Sequence, residues 1–234
     1  AMEAGQKVLY RSFAWGAYKI MMDDYDQMTD ELFDGDCFNV TDFKKQTKSV
    51  MDSQGKVMVV INDPCHNPTG YSMELDEWVQ VMNHLNELAE QGEVYLLNDI
   101  AYIDFTKDKQ TSRQHFKLFN DIHENLIVVV AVSCSKTLTA YGVRLGAQVI
   151  IAKDIQKRED FAKACTFNAR GTWSNVKNGG MGLFGRVHNI DANREAFIKE
   201  KEGYVEVVSQ SDNVFLNEAK EDGLEHYLNK EGFI

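Results

Sequence analysis

The sequence predicts an α/β layered protein whose sheet is covered on both faces, and three observations carry that expectation. Runs of strand length recur that are apolar throughout rather than alternating, as strands buried on both sides are. Segments with apolar residues at helical spacing separate them. Three of the runs end in polar clusters, and in open α/β sheets ligands bind beyond the carboxyl ends of the strands.

The first run, Val57-Met58-Val59-Val60-Ile61, stops at Asn62-Asp63-Pro64. A helix is expected over residues 75–91, with Leu75, Trp78, Val79, Met82, Leu85, Leu88 and Ala89 on one face and Gly92 closing it. Val94-Tyr95-Leu96-Leu97 is the second run, and after a loop and short helix Leu126-Ile127-Val128-Val129-Val130-Ala131-Val132 is the third. Ala147-Gln148-Val149-Ile150-Ile151-Ala152 is the fourth, followed by a charged helix over 154–166. Gly179-Gly180-Met181-Gly182 reads as a turn into a long bridging helix. Beyond it the pattern gives helices over 186–202 and 217–231, with Tyr204-Val205-Glu206-Val207-Val208 and Asn213-Val214-Phe215-Leu216 as strands of a smaller α+β unit. Two domains are therefore expected, 1–185 and 186–234. Met21-Met22 and the Trp78/Met82 cluster read as core.

Composition narrows the function classes. A 234-residue chain that is 44% hydrophobic and 26% charged has the make-up of a globular protein. No apolar run approaches the ~20 residues that span a bilayer, so no membrane partner is expected. The formal net charge of -11 argues against a nucleic-acid partner. Cys37, Cys65, Cys134 and Cys165 form no CxxC pair and read as reduced thiols of a cytoplasmic protein. Cys65-His66 invites a metal, yet no second ligand pair stands at a useful spacing, so no metal is expected. His84 and His123 read as surface or core residues.

The clusters at the run ends share one chemistry. They are Asn62-Asp63-Pro64-Cys65-His66-Asn67-Pro68-Thr69-Gly70, then Asp99-Ile100-Ala101-Tyr102, then Ser133-Cys134-Ser135-Lys136, with Arg144 eight residues past the lysine. A lysine amine forms an imine with an aldehyde and serves as a general base. A carboxylate keeps a pyridinium nitrogen protonated. A phenol and an amide bond a ring oxygen, while serines and a guanidinium suit a phosphate. Ser-x-Ser-Lys alone also fits a serine/lysine nucleophile pair, whose companion motifs the sequence lacks.

Together, Asn67-Pro68-Thr69-Gly70, Asp99-x-Ala-Tyr102 and Ser133-x-Ser-Lys136 with Arg144 resemble the class I aminotransferases, fold-type I pyridoxal-phosphate enzymes of the aspartate and aromatic aminotransferase kind. The resemblance implies a three-layer, mostly parallel sheet and part of a smaller C-terminal domain. It implies pyridoxal 5'-phosphate as cofactor, with Lys136 bonded to its aldehyde. Asp99 is then on the pyridine nitrogen, Asn67 and Tyr102 on the ring oxygen, and Ser133 and Arg144 on the phosphate, with Ser135 a further phosphate candidate. Trp15 matches the aromatic that stacks on the ring. Arg170-Gly171-Thr172-Trp173-Ser174-Asn175 resembles the segment whose arginine reaches a substrate carboxylate in the neighbouring subunit, although Val176-Lys177 follows where the family usually has prolines.

An amino acid and a 2-oxo acid are the implied substrates, and a homodimer the implied assembly. Family members extend beyond both ends of this sequence, with a phosphate-cradling glycine loop before the Trp15 position and a carboxylate-binding arginine in the C-terminal domain. The resemblance therefore implies a fragment that binds cofactor poorly and does not turn over. Two other readings share the motifs: a C–S lyase or decarboxylase on the same fold, and a non-catalytic effector domain of a regulator.

Overall fold

A computed structural model describes residues 2–24, 26–30, 33–34, 37–106 and 108–223. Its centre is a six-stranded sheet of β1 (Lys7–Arg11), β2 (Asp26–Asp30), β5 (Lys56–Asn62), β6 (Glu93–Asp99), β7 (Leu126–Ser133) and β8 (Gly146–Ile151). The spatial order is β2-β1-β5-β6-β7-β8. Five strands run parallel and β8 alone is antiparallel, against β7. Short strands β3 (Phe33–Asp34) and β4 (Cys37–Phe38) form a separate ribbon.

Helix α1 (Ala17–Met21) follows β1, and α2 (Val40–Gln54) leads into β5. Asn39 starts α2 by accepting the Asp42 N–H at 2.9 Å, and Gly55 ends it in the left-handed region at φ 72°. Helix α3 (Leu75–Ala89) connects β5 to β6 and is opened by a reciprocal capping box between Glu74 and Glu77. Glu77 also accepts the Tyr71 hydroxyl and the Phe38 N–H, each at 2.7 Å, so the loop after β5 is pinned to both α3 and β4.

The main core lies on the face under α2 and α3. Val57, Val59 and Ile61 of β5 meet Val81, Leu85 and Leu88 of α3, with Val94, Leu96, Leu126 and Val128 alongside. Each such side chain contributes roughly 1.5–3 kcal/mol by leaving water. On the opposite face Val8 and Val60 pack with Tyr18 and Met22. Along β6 and β7 the residues of that second face are only half-buried, so the expected two-sided cover holds over β1 and β5 and thins toward β8. Of the two methionines read as core, Met22 is buried and Met21 is exposed.

After β7 come the one-turn α4 (Cys134–Thr137), then α5 (Ile155–Thr172), α6 (Asn178–Asn189) and α7 (Asp191–Glu221). Two expectations fail here. The glycines read as a turn lie inside α6, where the absence of a side chain lets Gly180 meet Val143, whose Cγ1 would stand 2.7 Å from an added Cβ. The segments expected as strands, 204–208 and 213–216, lie inside the 31-residue α7. Their β-branched and aromatic residues have no neighbouring strand to pair with, and strand preference is a preference for such a pleated, half-buried setting. The helix expected over 217–231 is α7 as far as Glu221, and residues 224–231 lie outside the described residues.

Candidate functional site

The in-register parallel pairing of β5, β6 and β7 sets Asn62 opposite Asp99 and Asp99 opposite Ala131. Their carboxyl ends open on a pocket of about 280 Å³, near the lower end of the roughly 300–1,000 Å³ typical of small-molecule sites. Trp15, Asn67, Asp99, Tyr102, Ser133, Ser135, Lys136 and Arg144 all line it. Eight of the nine residues singled out from the sequence therefore share one cavity.

The Asp99 carboxylate is held from two sides, with Oδ1 accepting the Ala101 N–H at 3.0 Å and Oδ2 the Tyr18 hydroxyl at 2.5 Å. Its backbone carbonyl takes the Asn62 amide at 2.9 Å. Burial raises the Asp99 carboxyl above the usual carboxylate range, and the two donors pull it back. Burial and then the Asp99 charge raise the Tyr18 phenol, which stays a donor. Asn62 Oδ1 also accepts the Asn67 N–H at 2.7 Å, and Asn67 Nδ2 donates to the Tyr102 hydroxyl at 3.3 Å. The amide and phenol nominated for one oxygen are thus already neighbours.

Lys136 is half-buried on α4, with Nζ 5.3 Å from the Tyr102 ring centroid and 5.0 Å from that of Tyr141. Arg144 is in the left-handed region at φ 54°, and its Nη1 donates to Ser135 Oγ at 3.2 Å and to the Tyr141 carbonyl at 3.0 Å. Ser135, the weaker phosphate candidate, is the serine that touches the guanidinium; no hydrogen bond joins Ser133 to it among the described residues. Ser133 ends β7 opposite Gly146, where an added Cβ would stand 2.7 Å from the Val132 carbonyl oxygen. Only glycine permits that approach.

Arg170 is elsewhere. It is exposed on α5 and its Nη1 donates to Ser174 Oγ at 2.7 Å. Sequence reasoning assigned no site role to three polar lining residues: Tyr18, Asn62 and Tyr141. Tyr18 follows Trp15 by three residues, one helical turn on the same face, and Tyr141 lies between Lys136 and Arg144. Those spacings are the signal that could have found these two, and for Asn62 it is the place directly after the first apolar run.

A family model described as aminotransferase class I and II matches residues 1–233. The chain belongs to the class I and II aminotransferases. It is 28% identical over 182 residues to the aspartate aminotransferase of Salmonella typhi, an alignment covering 78% of this chain and 44% of that one. Identity to the aromatic-amino-acid aminotransferase of Pseudomonas aeruginosa is 33% over 122 residues, covering 52% and 29%. Among solved structures, an aminotransferase from Anaerococcus prevotii superimposes with a TM-score of 0.90 at 29% identity, covering 95% of this chain and 55% of that one. The aromatic-amino-acid aminotransferase of Burkholderia pseudomallei, covalently bound to pyridoxal phosphate, shares the fold at a TM-score of 0.77 and 22% identity. This aminotransferase chain spans less than half the length of the curated relatives it matches.

Proposed function

We propose that this chain is the cofactor-binding part of an aminotransferase that uses pyridoxal 5'-phosphate to move an amino group from an amino acid, dicarboxylic or aromatic, to a 2-oxo acid. The observation that carries the reading is the convergence of Lys136, Asp99, Tyr102, Asn67 and Arg144 on one pocket. The donor set fits the group: one amine, a buried carboxylate, an amide–phenol pair 3.3 Å apart, and a guanidinium beside a serine hydroxyl.

When bound, pyridoxal phosphate supplies an aldehyde that condenses with amines and a pyridine ring that takes up electron density. Lys136 would hold the aldehyde carbon, Asp99 the ring nitrogen, Asn67 and Tyr102 the ring oxygen, and Ser133, Ser135 and Arg144 the phosphate. Trp15 would cover a ring face. Among the described residues Lys136 Nζ is the only amine on the pocket lining, so it would be the group that takes a substrate's α-proton and returns it. Asp99 would keep a cation at the ring nitrogen, and its burial would strengthen that pairing.

The same reading divides the chain into a cofactor-binding part, 1–185, and a bridging helix with part of a smaller domain, 186–234. All six strands of the main sheet precede residue 152, which supports the division. The reading includes a cytoplasmic homodimer in which Arg170 serves the partner's site; its exposure away from this pocket, and four free cysteines, support that.

Incubating the whole protein with 15N-aspartate or 15N-phenylalanine and an unlabelled 2-oxo acid tests the reading. Transfer of the label to the oxo acid is expected. Release of carbon dioxide from these amino acids, or of a thiol when cystathionine is supplied in their place, without amino transfer would overturn it.

A further inference from the structure

Each Asp99 oxygen already has one protein donor, and the two donors differ in kind. The Ala101 N–H belongs to the backbone and is present whatever side chain stands there. The Tyr18 hydroxyl, 2.5 Å from Oδ2, is specified by the sequence. Tyr18 is 4% exposed, and its ring meets Trp15 edge-on at 5.6 Å and Tyr10 at 6.2 Å. Its N–H donates to the Trp15 carbonyl at 3.0 Å, and its own carbonyl accepts the Met22 N–H at 3.0 Å.

We propose that Tyr18 is a positioning residue of the pocket: its phenol fixes the Asp99 carboxylate and ties the segment bearing Trp15 to the strand end bearing Asp99. This role rests on the reading of the pocket as a pyridoxal-phosphate site, where the carboxylate and the indole address the same ring. A carboxylate whose rotamer is already fixed loses little freedom when a cationic ring nitrogen arrives. The phenol is a neutral donor, so it stabilises the ionised carboxylate without competing for it as a cation would. Helix α1 has only five residues, too short to hold Trp15 in place by its own hydrogen bonds. The tether to β6 supplies what the helix lacks. The other titratable groups on the pocket lining are Tyr102, Lys136, Tyr141 and Arg144.

The first test needs no cofactor. In the chain labelled with 13C-carboxyl aspartate, Asp99→Asn identifies the Asp99 resonance, which is then followed against pH. Tyr18→Phe is expected to move the Asp99 midpoint upward, because a donor to the charged form is lost while burial remains. An unchanged midpoint overturns the proposal, including when the melting temperature falls, since a merely structural tyrosine would lower only the latter. Should the phenylalanine variant fail to fold, Tyr18→3-fluorotyrosine gives a more acidic phenol and a stronger bond, and the midpoint should move downward; no movement overturns the proposal.

The second test is affinity of the whole protein for pyridoxal phosphate, expected to weaken about tenfold in Tyr18→Phe, the loss of one hydrogen bond to a charged group. Equal affinity in the two proteins overturns the positioning role. Absence of binding by the unsubstituted protein refutes the cofactor reading instead, and the two failures are distinguishable.

Discussion

Asn62, Asp99 and Ala131 stand side by side because three strands pair in parallel and in register, and every polar residue just beyond those ends inherits its place. That is why Asn67, Asp99, Tyr102, Ser133 and Lys136 could be nominated from sequence: each stands at or just beyond the end of an apolar run, and the family resemblance suggested what each would do there. Tyr18 was not, because α1 comes after a short strand, β1, with little apolar signal of its own. The residues around the pocket also set a pH dependence. His66, one residue before Asn67, is 1% exposed with Nδ1 2.9 Å from Thr69 Oγ1. Burial, and then the Arg11 charge, push its pKa down to about 2. The unfolded chain, with its histidine near 6.5, therefore takes up the proton first. The stability conferred by a neutral His66 is complete above that value and is lost as pH falls toward 2. Between roughly pH 4 and pH 5.5 the slope is about one proton, or ~1.4 kcal/mol per pH unit. In urea unfolding over that range, His66→Gln should flatten the dependence by about that amount; an unchanged slope would contradict the burial account.

At the scale of elements, α3, β5, β6, β7 and β8 match their sequence patterns to within a residue or two, and α5 runs six residues beyond its expected end to take in Arg170. The antiparallel direction of β8 was not legible, since an apolar run carries no direction. Nor was α7, where local strand preference gave way to continuous helix. Its attachment to the rest is partly ionic. Lys201 reaches Asp104 at 3.1 Å with side chains only 11% and 15% exposed, and Arg113 holds the same carboxylate at 2.9 Å. Lys109 and Glu202 also meet at 3.1 Å, but at 39% and 57% exposure. Desolvation separates the two pairs in energy. Lys201→Ala should cost about 1–2 kcal/mol in chemical denaturation, whereas Lys109→Ala should cost under ~0.5 kcal/mol. Equal losses would show that α7 is not held at Asp104. Because Asp104 follows Tyr102 by two residues, the Lys201 contact also joins α7 to a wall of the pocket.

For the whole molecule, burial is uneven. The α2/α3 face is closed, whereas β8, α5 with its C-cap Trp173, and α6 expose Val149, Ile155, Phe167, Trp173 and Leu183, with Phe167 at 80%. Patches of that kind bind apolar dyes. The isolated 234-residue chain should therefore enhance the fluorescence of an anilinonaphthalene sulfonate while keeping a cooperative melt; no enhancement would mean that these side chains are covered in solution. The pocket lies at the boundary between the closed and open regions, with Lys136 on its wall as the amine proposed to capture the cofactor. Reducing the whole protein with borohydride in the presence of pyridoxal phosphate, followed by peptide mass spectrometry, tests this most directly. A pyridoxyl group is expected on the peptide containing Lys136 and is expected to be absent from Lys136→Ala. A pyridoxyl group on another lysine, or none at all, would contradict it.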